Sequence, residues 1–340
     1  MRRPHDDCIE RAVAFLRRRQ LPHGEFAMML GADRGLSAPV LDSTPFGTAV
    51  VTYALAQLQL TGVADMIARA AAYLRAEMEL GGVWRYHAQG NFKHARLPPD
   101  LDDTACASYA LRVAGSPVPA NAWLFLANRD LSGRFRTWIL PTRRNRWNLR
   151  FAVARSLGSV QARLRARRVP APESEDTRFR VMRINRDDVD PVVNANVVLY
   201  LGERSATRPA IDLVVRAVLA DAAPFSLYYE DPLALYHAAA RAYRHAAPSL
   251  GVLREPILDR IARRALRPDP LTPLQAALAA SALLTFDPDA PLGHELVRMV
   301  CSTQREDGGW DAYAYYNVWG SEELTTAFCL EALARSRAAH

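Results

Sequence analysis

The feature that most constrains this chain is an internal repeat. A charged amphipathic helix, a glycine-containing turn and a helix rich in Ala and Leu recur along its 340 residues. The turns show it best. Gln20-Leu-Pro-His-Gly24-Glu-Phe26 reads Q-x-x-x-G-x-aromatic, Gln304-Arg-Glu-Asp-Gly308-Gly-Trp310 reads Q-x-x-x-G-x-W, and Glu79-Leu-Gly-Gly82-Val-Trp84 is a degenerate copy. They follow charged stretches at 11–19, 64–77 and 294–301. A unit of this kind cannot bury its apolar face alone, and stacked neighbours share one continuous core.

The second helix of each unit opens in a common way. Asp42-Ser-Thr-Pro45 precedes a helix to about Leu60, and Asp102-Asp-Thr104 one to about Val113. Asp190-Pro191 opens one to about Leu201, Asp231-Pro232 one to about Tyr243, Thr272-Pro273 one to about Leu284, and Ser321-Glu-Glu323 one to about Leu333. A small oxygen-bearing side chain accepts from free N–H groups of the first turn, and Pro is tolerated just inside. The bodies that follow are nearly apolar, and a helix apolar all round must be buried. Half of all residues are apolar, enough for a large core. Six buried helices alternating with amphipathic ones predict an all-α fold, an (α/α)6 toroid formed by residues 1–340 as one domain. The inner helices of such a ring are parallel, so their capping acids and hydroxyls converge on one mouth. The link from Val113 to Pro191 is too long for a regular unit, and residues 129–186 read as a basic insertion between inner helices two and three.

Charge sits unevenly. Residues 129–168 hold twelve arginines and one acid, a net of +11 against +7 for the whole chain, so the remainder is slightly acidic. A local basic block suits phosphate, diphosphate or an anionic membrane surface better than nucleic acid. Its plainer reading is a solvated face. No run of 18 apolar residues is free of charge, and Asp6 and Asp7 interrupt the place where a secretory signal would turn apolar. Cys8, Cys106, Cys301 and Cys329 are scattered without C-x-x-C spacing, which fits reduced thiols in a cytoplasmic protein better than a disulfide frame or a zinc site. No P-loop, G-x-G-x-x-G or H-E-x-x-H occurs.

Asp100-Leu-Asp102-Asp103-Thr104-Ala105, at the mouth of inner helix two, reads D-x-D-D-T-A. This hexapeptide resembles the motif of class II, protonation-initiated terpene cyclases, such as squalene–hopene cyclases, and the Q-x-x-x-G-x-W turns resemble the repeats of the same superfamily. The chemistry suits the spacing. An acid that protonates an alkene must itself stay protonated in a dry site, and neighbouring carboxylates and burial both raise a carboxyl pKa. The resemblance implies that Asp102 donates the proton while Asp100 and Asp103 hold its geometry. The plainer reading is that Asp102 and Asp103 only cap the helix.

A carbocation formed there needs walls that are apolar yet electron-rich, which aromatic faces supply. Tyr228, Tyr229, Tyr313, Tyr315, Tyr316 and Trp319 lie near predicted mouths, whereas Trp84 and Trp310 suit a wedge role in the repeat turns. Each aromatic also has a plain packing reading. A second polar cluster is Asp187-Asp188-Val-Asp190-Pro-Val-Val-Asn194-Ala-Asn196. Asn194 and Asn196 are two residues apart and point apart on a helix, so one of them reaches the cavity. Asp190 is a cap. Asp187 and Asp188 could hold Mg²⁺ against a diphosphate, and Arg143, Arg144 and Arg146 could bind that diphosphate. Otherwise no cofactor is expected.

The resemblance therefore implies an enzyme cyclising a linear isoprenoid, with a C15 or C20 diphosphate suiting the arginines. Family members usually pair two helical domains, but this chain has room for one ring. A non-catalytic toroid binding a lipid or protein, or a prenyltransferase-type ring, is the alternative. Contact with a membrane surface or with a second copy is compatible with either.

Overall fold

The computed structural model describes residues 5–57, 62–142, 145, 149–166, 184–220 and 224–338. In chain order its helices are α1 (Asp6–Arg19), α2 (Pro45–Gln57), α3 (Ala64–Glu77), α4 (Leu101–Val113), α5 (Ala122–Ala127), α6 (Leu149–Ala166) and α7 (Pro191–Leu201). Then come α8 (Arg208–Ala220), α9 (Pro232–His245), a 3₁₀ turn (Pro248–Leu253), α10 (Arg254–Ala265), α11 (Pro273–Phe286), α12 (Pro291–Ser302) and α13 (Glu322–Ala338).

The ring closes. α2 packs on α4, α4 on α7, α7 on α9, α9 on α11, α11 on α13, and α13 returns to α2. These are the six helices that the capped Ala/Leu stretches predict. Their burial follows from their sequences, since every residue of α7 is buried, as is the body of α11 from Ala276 to Phe286. The predicted opening segments supply a cap at five of them. Asp190 accepts from Val192 and Val193 N–H, Asp231 from Leu233 N–H, Thr272 from Gln275 N–H in a reciprocal capping box, Thr44 from Phe46 N–H and Ser321 from Leu324 N–H. The amphipathic helices α1, α3, α8, α10 and α12 cover the outside, each burying one stripe.

The repeat turns are built alike. Gln20 Nε2 donates to Gly24 O at 3.0 Å, and Gln304 Nε2 to Gly308 O at 2.9 Å. Trp84 and Trp310 are fully buried wedges whose indole N–H groups donate to Leu74 O and Val300 O at 2.7 and 2.8 Å. The backbone N–H groups of Phe26, Trp84 and Trp310 each donate to a threonine of the following inner helix, Thr48, Thr104 or Thr326. Gly308, at φ 88°, passes so close to α1 that a Cβ would lie 2.4 Å from Arg11 O.

Two features differ from the sequence reading. A small antiparallel sheet, in the order β2-β1-β4-β3, joins β1 (Met29–Leu30), β2 (Val40–Leu41), β3 (Ala314–Tyr316) and β4 (Trp319–Gly320). Strands of two or three residues are too short to show alternation, which is why the helical pattern hid them. The predicted insertion is also partly wall. Asp100 pairs with Trp138 in a β-bridge, so the stretch before Thr142 lies against the mouth of α4.

Candidate active site

Asp100 caps α4, its Oδ1 accepting from Asp103 N–H at 2.8 Å. Asp102 and Asp103 therefore lie in the first turn and do not cap, contrary to the plainer reading above. All three line one cavity. Its other walls come from the mouths of the inner helices and the loops before them: Phe46, Val193, Tyr86, Tyr228, Tyr229 and Tyr316, with Thr137 and Trp138 from the long link. Every ring of the wall is engaged. Trp138 Nε1 donates to the Tyr228 hydroxyl at 2.9 Å, the Tyr86 and Tyr316 hydroxyls bond each other, and Phe46 meets Tyr316 edge-on at 5.2 Å.

The side chain of Asp102 is held at both oxygens. Asn196 Nδ2 donates to Oδ1 at 2.8 Å, and the Tyr229 hydroxyl donates to Oδ2 at 2.5 Å. Arg241 Nη2 donates to Asn196 Oδ1 at 2.9 Å. A guanidinium has no acceptor, so Arg241 fixes which way the Asn196 amide points. Arg241 is buried with its charge 5.0 Å over the Tyr53 ring. Below it, Glu331 bonds His237 at 3.0 Å and Arg335 at 2.5 Å. Burial opposes ionisation of Glu331, but His237 and Arg335 hold it below the usual carboxylate range.

Burial raises all three aspartates, and their neighbours then set them apart. Burial pushes Asp102 up, while Tyr229, Asn196 and the Arg241 charge pull it back. Asp103 is pushed well above the carboxylate range, first by burial and then by the Asp100 charge. Burial also raises Asp100, to about 7, against the hydrogen bond from Asp103. All three carboxyls are thus shifted toward the neutral form, and Asp102 keeps a face on the cavity between two donors.

The second polar cluster divides. Asn196 reaches Asp102, whereas Asn194 turns away and bonds the backbone of Phe135 and Asp190. Tyr229 and Tyr316 face the cavity. Tyr315 and Trp319 stand behind them, Tyr315 edge-on to Tyr229 at 5.4 Å and Trp319 stacked on Tyr316 at 5.8 Å. Trp319 is held there by Asp42, a buried carboxylate 2.8 Å from Trp319 Nε1 and 2.7 Å from Lys93 Nζ, while Thr44 in the same opening segment accepts from Phe46 N–H at 3.2 Å. Asp187 and Asp188 do not suit a magnesium pair. Asp187 is exposed and paired with Arg136 at 3.2 Å, while Asp188 accepts from Thr137 Oγ1 at 2.5 Å. No group of three His, Cys, Asp or Glu among the described residues could hold a metal. Arg143, Arg144 and Arg146 lie outside the described residues.

Phe46, Tyr86, Trp138 and Arg241 were not among the sequence candidates. Arg241 did leave a signal, a lone charge within Ala238-Ala-Ala-Arg241-Ala on an inner helix.

The fold is that of type II terpene cyclases. The apo structure of the type II terpene cyclase MstE from Scytonema superposes with a TM-score of 0.66 at 15% identity, covering 98% of this chain and 99% of that one. MstE carrying R337A, in complex with geranylgeranyl dihydroxybenzoate as substrate, gives 0.66 at 15% identity over 98% and 97%. The ent-copalyl diphosphate synthase of Streptomyces platensis gives 0.56 at 16% identity, covering 86% of this chain and 50% of that one. No family model matches the sequence, and no curated protein does.

Proposed function

We propose that this protein is a protonation-initiated terpene cyclase acting on a linear isoprenoid. The observation that carries the proposal is the setting of Asp102, a carboxyl facing an aromatic cavity between the Tyr229 hydroxyl and the Asn196 amide. The proton passes from Asp102 to a terminal alkene carbon, whose π pair becomes the new C–H bond. The adjacent carbon becomes cationic, the next alkene adds to it, and a ring closes. The last cation loses a proton or is captured by water. Two hydrogen bonds then receive the Asp102 carboxylate, and a hydrogen bond to a charged group is worth about 1.5–3 kcal/mol. Tyr86, Tyr228, Tyr229, Tyr316, Phe46 and Trp138 offer their rings to the cation, each worth about 0.5–2 kcal/mol.

A geranylgeranyl chain is the substrate we favour, because that is the chain bound in the complexed MstE structure. Its head group, a diphosphate or an aromatic acid, is chosen by experiment. The protein is incubated with geranylgeranyl diphosphate, farnesyl diphosphate and geranylgeranyl dihydroxybenzoate, with and without Mg²⁺, beside Asp102→Asn. Products are read by mass spectrometry before and after phosphatase. A cyclic product lost by about a thousandfold or more in the variant is expected, within the range for removing a positioned acid. A folded protein that turns over none of these or squalene, or a variant that keeps full activity, sinks the proposal.

A further inference from the structure

Helix α6 is apolar on two opposite faces. Phe151, Gly158 and Ala162 are buried, and Gly158 sits where a Cβ would lie 3.2 Å from Glu79 Oε2. At 3.6 residues per turn, Val153, Leu157, Val160 and Leu164 align on the far side. They are 46%, 51%, 54% and 54% exposed. Leu80, 50% exposed, and Trp123 extend this stripe along a groove beside α6. One exposed Leu is ordinary, but a continuous row of this kind marks a contact surface.

The charges beside the row select its occupant. Helix α6 contains no acid, and its Arg150 and Arg163 flank the row. Arg163 is exposed, and Arg150 stacks 4.3 Å over the Trp123 ring. A second copy meeting this patch across a two-fold axis would bring arginine against arginine with no acid between. An anionic bilayer supplies both complements, acyl chains for the row and phosphate oxygens for the guanidinium groups.

We infer that α6 is a docking helix for anionic membranes, seating the Val153–Leu164 row at the boundary between headgroups and acyl chains. The inference is independent of the reaction proposed above, and its test involves no turnover.

The full-length protein is sedimented with vesicles of phosphatidylcholine, with or without phosphatidylglycerol. The variants are Leu157→Glu/Leu164→Glu and Arg163→Glu, with circular dichroism to check folding and sedimentation velocity without lipid to read oligomeric state. Binding to the anionic vesicles is expected, reduced about tenfold or more in the double variant and less in Arg163→Glu. The inference is overturned if wild type ignores anionic vesicles, binds both vesicle types equally, or keeps full binding in the double variant. It is equally overturned by a lipid-free dimer that the double variant splits.

Discussion

The hydroxyl of Tyr229 lies 2.5 Å from Oδ2 of Asp102, although 127 residues separate the two in sequence. The loop before α9 thereby supplies the donor that faces the first turn of α4. Replacing Tyr229 by Phe keeps the ring against Tyr315 and removes only that donor. Asp102 then becomes a weaker acid, because its carboxylate loses a stabilising hydrogen bond. Turnover should fall roughly 10–100-fold, the value of one hydrogen bond to a charged group. Steady-state kinetics on the cyclised product measures this, and an unchanged rate would remove Tyr229 from the proton-donating unit.

Arg241 acts on Asp102 through Asn196. Its charge also pulls the Asp102 pKa downward, opposing the effect of burial. In Arg241→Met that pull is gone and the Asn196 amide is free to turn over. The alkaline limb of kcat/KM should move to higher pH, while the rate on the acid plateau falls about tenfold or more. Arg241→Lys keeps the charge and should keep the limb closer to its original place. A residue with only a packing role would lower stability in both variants and leave the limb where it was.

The six inner helices could be read from the sequence because their signals are local. A cap residue, a following Pro and an apolar body announce themselves within a few positions, as at Asp190-Pro191 and Thr272-Pro273. Asp102, Tyr229, Tyr316 and Asn196 were legible for related reasons, each lying at or near such a helix start. Tyr86 and Trp138 were not, since nothing local says that the stretch after Trp84 and the long link fold back over the mouth of α4. Within the opening segment Asp42-Ser-Thr-Pro45 the choice of Thr44 as cap was not legible, because Asp42 is claimed by Lys93 and Trp319, partners distant in sequence. The cap of α4 is Asp100, two residues before the predicted opening at Asp102.

Gly308→Ala tests the repeat turn. The position has φ 88°, and an added Cβ would meet Arg11 O at 2.4 Å. Both the backbone conformation and the contact penalise a side chain, so a loss of about 2 kcal/mol or more is expected. Gly90→Ala is the control, because nothing lies within 4 Å of its added Cβ. Urea unfolding should lower the midpoint for the first and leave it nearly unchanged for the second.

Asp190 makes the fold sensitive to pH. Burial raises its pKa to about 7, against the hydrogen bond from Ser226. The folded state then holds a proton that the unfolded chain releases near the ordinary carboxylate value. Its contribution is complete below that value and is lost as pH rises through about 7. Asp190→Asn retains an oxygen for Val192 and Val193 N–H but cannot titrate. Urea midpoints from about pH 4.5 to 8 should fall less steeply in the variant than in the wild type. A residual slope in the same direction is expected from Asp100, which burial also raises to about 7.

The ring is continuous in space although the chain is not. α13 packs against α2, and β4 pairs with β1, so the earliest and latest segments form a seam as intimate as any internal one. Two contacts further round the circle, α4 touches α7 directly, whatever route the chain takes between them. Two polypeptides, one ending after Thr142 and the other beginning before Asn185, would therefore meet along both seams. The first alone would carry two inner helices and the second four, with Asp102 on one piece and Tyr229, Asn196 and Arg241 on the other. Only their reunion would restore an enclosed acid, which makes the cavity a property of closure and not of either half of the chain.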